Sequence, residues 1–544
     1  MSANRVLSAS RLEWVGRRLA WARATRVTVA LLACVPVLTP FPVHADAKKE
    51  ADGSRFGLVK KPLAPELQEL YDYKADAKSL TDATFDAQTT VHRAHTVMLA
   101  EQQIITREEA AAILKGLALV NAEAEKNPAL QSYMPYETAL IKDVGPVAGK
   151  MHIGRSRNDL ANTVNRMYYR DEVNRVIQAL IELRKTLVTQ AEANLDTLMP
   201  VYTHRKQAQP ITLAHYLMAH AEQVGKSIQR FEELYARVNQ NPLGAAASAG
   251  TGFPLDRKRT TQLLGFDSPV VNTIEGVAAW DHIAEFASAN AIYMASLSRL
   301  ASELQNWQTD EFDMIELDSA FAGSSSIMPQ KKNPTSLEYT RQAAAETIGD
   351  LVGILASLDA IEYQHSVARV ALEPRAIDRV LAATHTMTGT IRTMMPKKER
   401  MRALLVDGYS TMTELTDTLV RESGLSFREA HDIIAHVVEN LQAQKRAPRS
   451  IDVKMIQAAA KDTLGRTITL RPQSLAASLD PANSVSRRNG LGGPAASAVR
   501  EAIASTQHET GHMTERLEKR RAKLASAQQE LAAAEQSIIG TSGN

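Results

Sequence analysis

Residues 159–196 read DLANTVNRMYYRDEVNRVIQALIELRKTLVTQAEANLD and contain neither proline nor glycine. Apolar residues recur through them at helical rather than alternating spacing. A helix of roughly 35 residues spans about 50 Å, more than a single compact domain needs. Two further unbroken stretches run from Ala278 to Phe312 and from Thr335 to Ile348. Between the loops, Ala, Leu, Glu, Gln and Arg dominate, as helix propensity favours, and hardly any alternating strand pattern occurs. The expectation is an all-α protein built on a long-helix bundle, completed by neighbouring subunits because such helices are buried on several faces.

A chain of 544 residues is too long for one ordinary core. The expected divisions are a leader over 1–45, an N-terminal helical domain over 46–155 and the central long-helix domain over 156–405. A C-terminal helical domain over 406–508 and a helical tail over 509–544 follow. The stretch NPLGAAASAGTGFPLDR (241–257) is the largest Gly/Ala/Pro loop inside the central region, with room to line a site. In the tail, Leu517, Leu524, Leu531 and Ile538 repeat every seven residues, while Arg520 interrupts a second apolar seam. Both a coiled coil and a solvated amphipathic helix fit that pattern.

A 44% hydrophobic and 23% charged composition is that of a soluble globular protein, and a formal charge of +2 argues for neither nucleic acid nor a membrane surface as partner. The single cysteine, Cys34, lies in the leader, which excludes an internal disulfide and a thiolate metal site. Within the leader, Arg11, Arg17, Arg18, Arg23 and Arg26 precede VTVALLACVPVL, and Val43-His44-Ala45 supplies small residues where a signal peptidase cuts. Export to the periplasm is expected, with no membrane span in the mature protein. Lipid anchoring through Cys34, in the lipobox-like Leu31-Leu32-Ala33-Cys34, is the minority reading. A mis-annotated start codon, leaving a cytoplasmic protein, is the other.

Three polar stretches stand out. MHIGRSRNDL (151–160) packs Arg155, Ser156, Arg157, Asn158 and Asp159 into a helix start, with capping-box spacing between Ser156 and Asp159. VYTHRKQAQPI (201–211) sets Thr203 and His204 before an expected helix with Pro210 in its first turn. In AGSSSIMPQKKNP (322–334), Asn333 is expected as N-cap and Pro334 as first helical residue. All three are thus expected at helix N-termini, where free N–H groups favour anions, so a polycarboxylate or phosphate is the expected ligand. Each alone is more often a plain helix start. His152, His215 and His220 have no metal-ligand spacing and read as core or surface histidines.

GSSSIMPQKKNP resembles the signature loop of the fumarase/aspartase superfamily, and HIGRSRNDL resembles the HTGRSRND motif of its argininosuccinate lyase family. VYTHRKQAQPI is similar to that family's YTHLQRAQPI stretch. LSFREAHDII (425–434) and SLDPANSVSRRNGLGG (478–493) resemble its C-terminal domain. The resemblance covers roughly residues 55–505. It implies a three-domain, all-α fold and a homotetramer with a central helical bundle, each active site drawing on three subunits. It further implies an anti elimination that releases fumarate from an N-substituted aspartate, without metal or organic cofactor.

By the same resemblance Ser325 is the general base, while Lys331 and Asn333 hold the carboxylate whose charge grows. His204 pairs with Glu338 for proton delivery or carboxylate binding. Ser156, Asn158, Thr203 and Gln209 match substrate-binding positions, with Arg155 and Arg157 as anion or structural partners. A free hydroxyl is a weak base, so loop amides and cations have to stabilise its alkoxide.

The chain departs from the family in places. Thr335 stands where an acidic residue usually follows KKNP, LQR is replaced by Arg205-Lys206-Gln207, and SYMPYET keeps only Glu137 of an upstream polar set. The family's YNKDLQEDK segment has no good match in EYQHSVARVALEPR (362–375), where Tyr363, Gln364, His365 and Arg369 are the candidates. The fumarate half of the site is therefore expected intact and the leaving-amine half rewritten. The substrate is argininosuccinate or another N-substituted aspartate, such as the aminopolycarboxylate ethylenediamine disuccinate. A crystallin-like binding protein and a different superfamily elimination are the rival classes.

Overall fold

The computed structural model describes residues 58–541, apart from 60 and 75–77, so the leader expected over 1–45 lies outside the described residues. The structure is all-α in architecture, and the sheets among the described residues are two-stranded.

The N-terminal part is built from α1 (Leu80–Glu101), α2 (Arg107–Ala124) and α3 (Tyr133–Val144). Ser79 and Thr106 close capping boxes at the first two helices, satisfying N–H groups that would otherwise lack partners. Met98, Ile113, Leu117, Tyr136 and Leu140 are buried together beneath them.

The long helix α4 (Arg157–Glu192) has 36 residues, as its uninterrupted sequence leads one to expect. It packs with α5 (Leu213–Val238), α6 (Asp281–Trp307), α7 (Thr335–Asp359) and α8 (Pro374–Thr393) into the central bundle. Tyr169, Phe231 and Phe286 meet edge-to-face at its centre, with centroids 6.1 and 6.2 Å apart. Helix α7 runs past Ile348 to Asp359, with Gly349 and Gly353 inside it and open space beside both. Between α4 and α5 the expected helix start is instead a hairpin, β1 (Leu198–Thr203) and β2 (Lys206–Thr212). Its two-residue turn, His204-Arg205, has φ of 52° and 59°, the sign that a tight hairpin turn needs. Pro210 pairs with Pro200 in this isolated ribbon, where a missing N–H is tolerated, and α5 begins only at Leu213, capped by Thr212.

A C-terminal layer of α9 (Met412–Ser423), α10 (Phe427–Ala443) and α11 (Val453–Leu464) buries Leu419, Ile433, Val437 and Ile456 in its own cluster. The last helix, α12 (Ala496–Thr541), is unbroken through residue 508. Its heptad stripe forms neither a coiled coil nor a solvated face. Leu517 is buried in the central cluster, Leu531 and Ile538 in the N-terminal one, so α12 straps the two together. Arg520, which interrupts the second seam, packs there through its guanidinium, stacked on Tyr235 at 4.6 Å from the ring centroid.

Candidate active site

The first polar stretch forms the N-terminus of α4. Ser156 Oγ accepts from the Asn158 N–H at 3.2 Å, and Asp159 Oδ1 accepts from the Ser156 N–H at 2.8 Å, closing the capping box expected from sequence. Asp159 does more than cap. Its Oδ2 accepts from the N–H groups of Gly244 (2.8 Å) and Ala246 (3.0 Å), tying the 241–257 loop to the helix. Gly244, Ala246 and Ser248 all have positive φ (89°, 50° and 76°), and backbone kinked in this way turns successive N–H groups toward one anion. Burial pushes the Asp159 carboxyl above its ordinary range, opposed by these N–H donors. The sequence marked Asp159 only as a capping partner, and its bonds to the loop carry no signal in the chain order.

Arg157 is exposed and Asn158 half-buried, both available to a ligand. Arg155 is different: it is buried beside Tyr133, His92, His95 and His152, and burial lowers its pKa. That position suits the structural reading of Arg155. Tyr133 links the cluster together, lying 3.0 Å from Glu137 Oε1 and 2.5 Å from His152 Nδ1. Glu137, the acidic residue retained in SYMPYET, therefore acts beneath the α4 N-terminus.

The signature loop is the second part. β3 (Gly323–Ser324) pairs antiparallel with β4 (Lys332–Asn333), so residues 325–331 form the connecting loop, with Ser325 half-buried and the rest exposed. Ser325 Oγ accepts from the Met328 N–H at 3.0 Å, which fixes the hydroxyl within the turn. Lys331 is exposed and has no ion-pair partner among the described residues, whereas Lys332 binds Glu316 at 2.5 Å. Asn333 does not cap α7: Pro334 holds the N-cap position with no side-chain cap, and Asn333 Nδ2 donates to Ser324 O at 3.1 Å, bracing the hairpin. Of the three expected helix N-termini, only that of α4 is one with its cap made by the motif itself. Gly323 is required here, since a Cβ would stand 2.5 Å from Thr335 Cγ2. Beneath the loop, Phe321 packs against Gly389 of α8.

The third part is the hairpin tip, where Thr203, His204 and Arg205 are exposed and Gln209 is half-buried on β2. Gln207 anchors the ribbon by donating to Leu404 O at 3.0 Å. Glu338 is exposed in the first turn of α7. Among the described residues no hydrogen bond or ion pair joins His204 to Glu338, or either to Ser325. One chain thus presents the three parts on separate elements.

The segment 362–375 is largely exposed but pinned at Arg369. Arg369 donates to Val277 O at 3.1 Å and to His365 Nδ1 at 2.8 Å, and lies 4.3 Å over the Trp280 ring. Its guanidinium is therefore committed to structure. Tyr363 is exposed and donates to Glu275; burial, then that carboxylate, pushes its hydroxyl up to about 12. Gln364 donates to Glu362 at 3.3 Å.

Family models match two spans of the chain: Lyase over residues 73–349 and Argininosuccinate lyase C-terminal over 409–486. The argininosuccinate lyase of Methanosarcina barkeri is 39% identical over 435 residues, 78% of this chain and 87% of the relative. That of Methanococcoides burtonii is 39% identical over 444 residues, 80% of this chain and 89% of the relative. Among solved structures, EDDS lyase in complex with formate superposes with a TM-score of 0.88 at 53% identity, covering 90% of this chain and 98% of that one. The 3-carboxy-cis,cis-muconate lactonizing enzyme of Pseudomonas putida shares the fold, with a TM-score of 0.65 at 22% identity over 82% of this chain and 98% of that one. The chain belongs to the argininosuccinate lyase family of the fumarase/aspartase superfamily, and is a carbon–nitrogen lyase.

Proposed function

We propose that the protein cleaves an N-substituted aspartate of the aminopolycarboxylate class, such as ethylenediamine disuccinate, releasing fumarate and the free amine. The observation that carries this reading is the 53% identity to EDDS lyase over 98% of that chain, against 39% to argininosuccinate lyases. The sequence supports it too: Ser325, Lys331, Asn333, His204 and Glu338 are all retained, while segment 362–375, which departs from the family pattern, is assigned in this reading to the amine side of the site.

In this mechanism the Ser325 alkoxide takes the proton from the carbon beside the distal carboxylate. The electron pair of that C–H bond passes into the carboxylate as a doubly charged aci form. Lys331 and Asn333 bear the growing charge, which is where fixed donors contribute most to rate. The pair then returns to form the C=C bond as the C–N bond breaks, and the amine leaves with a proton supplied through the His204 side of the site. Ser156, Asn158 and Thr203 orient the carboxylates. The chemistry uses neither metal nor organic cofactor.

A homotetramer with sites shared between subunits is part of the proposal. Its support is the separation of the three parts within one chain, together with exposed Ile348, Val352 and Leu355, which lie along one face of α7 at helical spacing. Export to the periplasm is proposed from the composition of residues 1–45 alone.

The reverse reaction tests the substrate class. Incubation with fumarate and ethylenediamine should yield the N-(1,2-dicarboxyethyl) adduct by mass spectrometry, whereas fumarate and arginine should yield none. Adduct with arginine only would assign the chain to argininosuccinate.

A further inference from the structure

Helix α12 carries the stretch HETGHMTE over residues 508–515, which no part of the lyase reading uses. Two histidines four residues apart on a helix lie on one face, and a Glu directly after the first is the pattern of a zinc hydrolase. The structure rules out that chemistry for Glu509. Its carboxylate points to the bundle, where it pairs with the buried Arg184 and accepts from Gln229 Nε2 at 3.1 Å. The histidines face the other way, exposed to solvent.

His508 Nε2 and His512 Nε2 converge to 3.2 Å, with the ring planes at 87°. With metal–nitrogen bonds of about 2.0–2.1 Å, nitrogens at that separation subtend about 100° at a shared ion, near the tetrahedral angle. The remaining nitrogen of His512 is already oriented: Nδ1 lies 3.4 Å from Glu515 Oε2. A carboxylate accepting from Nδ1–H leaves Nε2 as the lone pair, the tautomer a metal-binding imidazole needs, and raises its basicity. The 3.2 Å contact needs one ring to donate and the other to accept, and with His512 Nδ1–H turned to Glu515 the donor is His508 Nε2–H. Loss of the proton from His508 Nε2 by a change of tautomer turns the pair into a chelate at nearly its present separation.

We propose that His508 and His512 form a two-histidine site for a borderline divalent ion such as Zn2+, Ni2+ or Cu2+, oriented by Glu515. Among the described residues no group of three or more His, Cys, Asp or Glu is placed to hold a metal, so water or a small external ligand completes the coordination. Coordination across one turn clamps α12 in the stretch where it packs on α4 and α5. The ion therefore stabilises the strap and takes no part in the elimination.

The test is zinc binding to the full chain without a polyhistidine tag, by calorimetry and by thermal melting. The expected result is one equivalent per chain and a higher melting temperature with zinc, both lost in His508→Ala and in His512→Ala and both retained in His431→Ala. Glu515→Gln should weaken binding by about tenfold. As a check on the unmodified protein, zinc should shield His508 and His512 from diethyl pyrocarbonate. Unchanged binding in the double His508→Ala/His512→Ala variant, or no binding by the wild type, would overturn the assignment.

Discussion

Replacing Asp159 by Asn is expected to uncouple the α4 N-terminus from the loop that faces it. The buried carboxylate accepts from Ser156, Leu160, Gly244 and Ala246, at 2.8, 3.0, 2.8 and 3.0 Å. An amide of the same shape keeps one oxygen, so either the cap or the two loop N–H groups must face an NH2. A hydrogen bond to a charged acceptor is worth about 1.5–3 kcal/mol, so losing the loop pair costs ~3–6 kcal/mol before relaxation. Relaxation of the loop recovers part of this, since Ala246 and Ser248 sit at positive φ and each such residue costs ~1–2 kcal/mol. Set against that ~2–4 kcal/mol, a net loss of ~1–2 kcal/mol is left, concentrated where Ser156 and Asn158 are presented. The assay is thermal melting beside steady-state kinetics of fumarate release. The melting temperature should fall by about 1–2 °C, and KM should rise because the substrate-facing residues lose their support. A variant that melts like the wild type, with unchanged KM, would refute the tether.

Other consequences are more local. Ser325→Ala should abolish turnover while circular dichroism and subunit assembly stay unchanged; near-normal activity would remove the general-base role. Gly389→Ala puts a methyl group into the Phe321 ring beneath the signature loop, which should cost ~1–3 kcal/mol and lower activity, and an unaltered melt would mean Phe321 has room to move. Acid should destabilise the fold before carboxylates titrate. Burial, and then a neighbouring Arg, holds His95 at about 3 and His220 and His282 at about 4, below the ordinary 6.5. The unfolded chain therefore binds these protons first, so stability is full above pH 6.5 and falls as pH drops toward 4. A loss of ~2–5 kcal/mol by pH 5 is expected from a melting series; a flat profile from pH 7 to 5 would contradict neutral buried imidazoles.

Much of this was legible in the chain. A long run without Gly or Pro has few alternatives to helix, and α4 begins and ends within a few residues of the run. The Ser156 capping box was readable because it is local. The hairpin at 198–212 was not, because its turn uses His204 and Arg205 at positive φ where Gly or Asn would have signalled it, and because an isolated ribbon has too few residues to show alternation. Asn333 looked like a cap by position, yet its amide serves the β3–β4 pair, a contact nine residues away in sequence. The stripe Leu517, Leu531 and Ile538 gave an apolar face without saying what covers it. Arg155 and Arg157 are two residues apart in one motif, and only packing separates the buried one from the exposed one. Tertiary contacts of that kind are set by elements far apart in the chain.

The most direct test of the central claim is the kcat/KM of the purified protein for ethylenediamine disuccinate and for argininosuccinate, followed by fumarate absorbance. A site whose amine side is rebuilt should favour the aminopolycarboxylate by ~100-fold or more. Equal or greater efficiency with argininosuccinate would mean that the altered segment 362–375 is tolerated variation, and the substrate reading would fall.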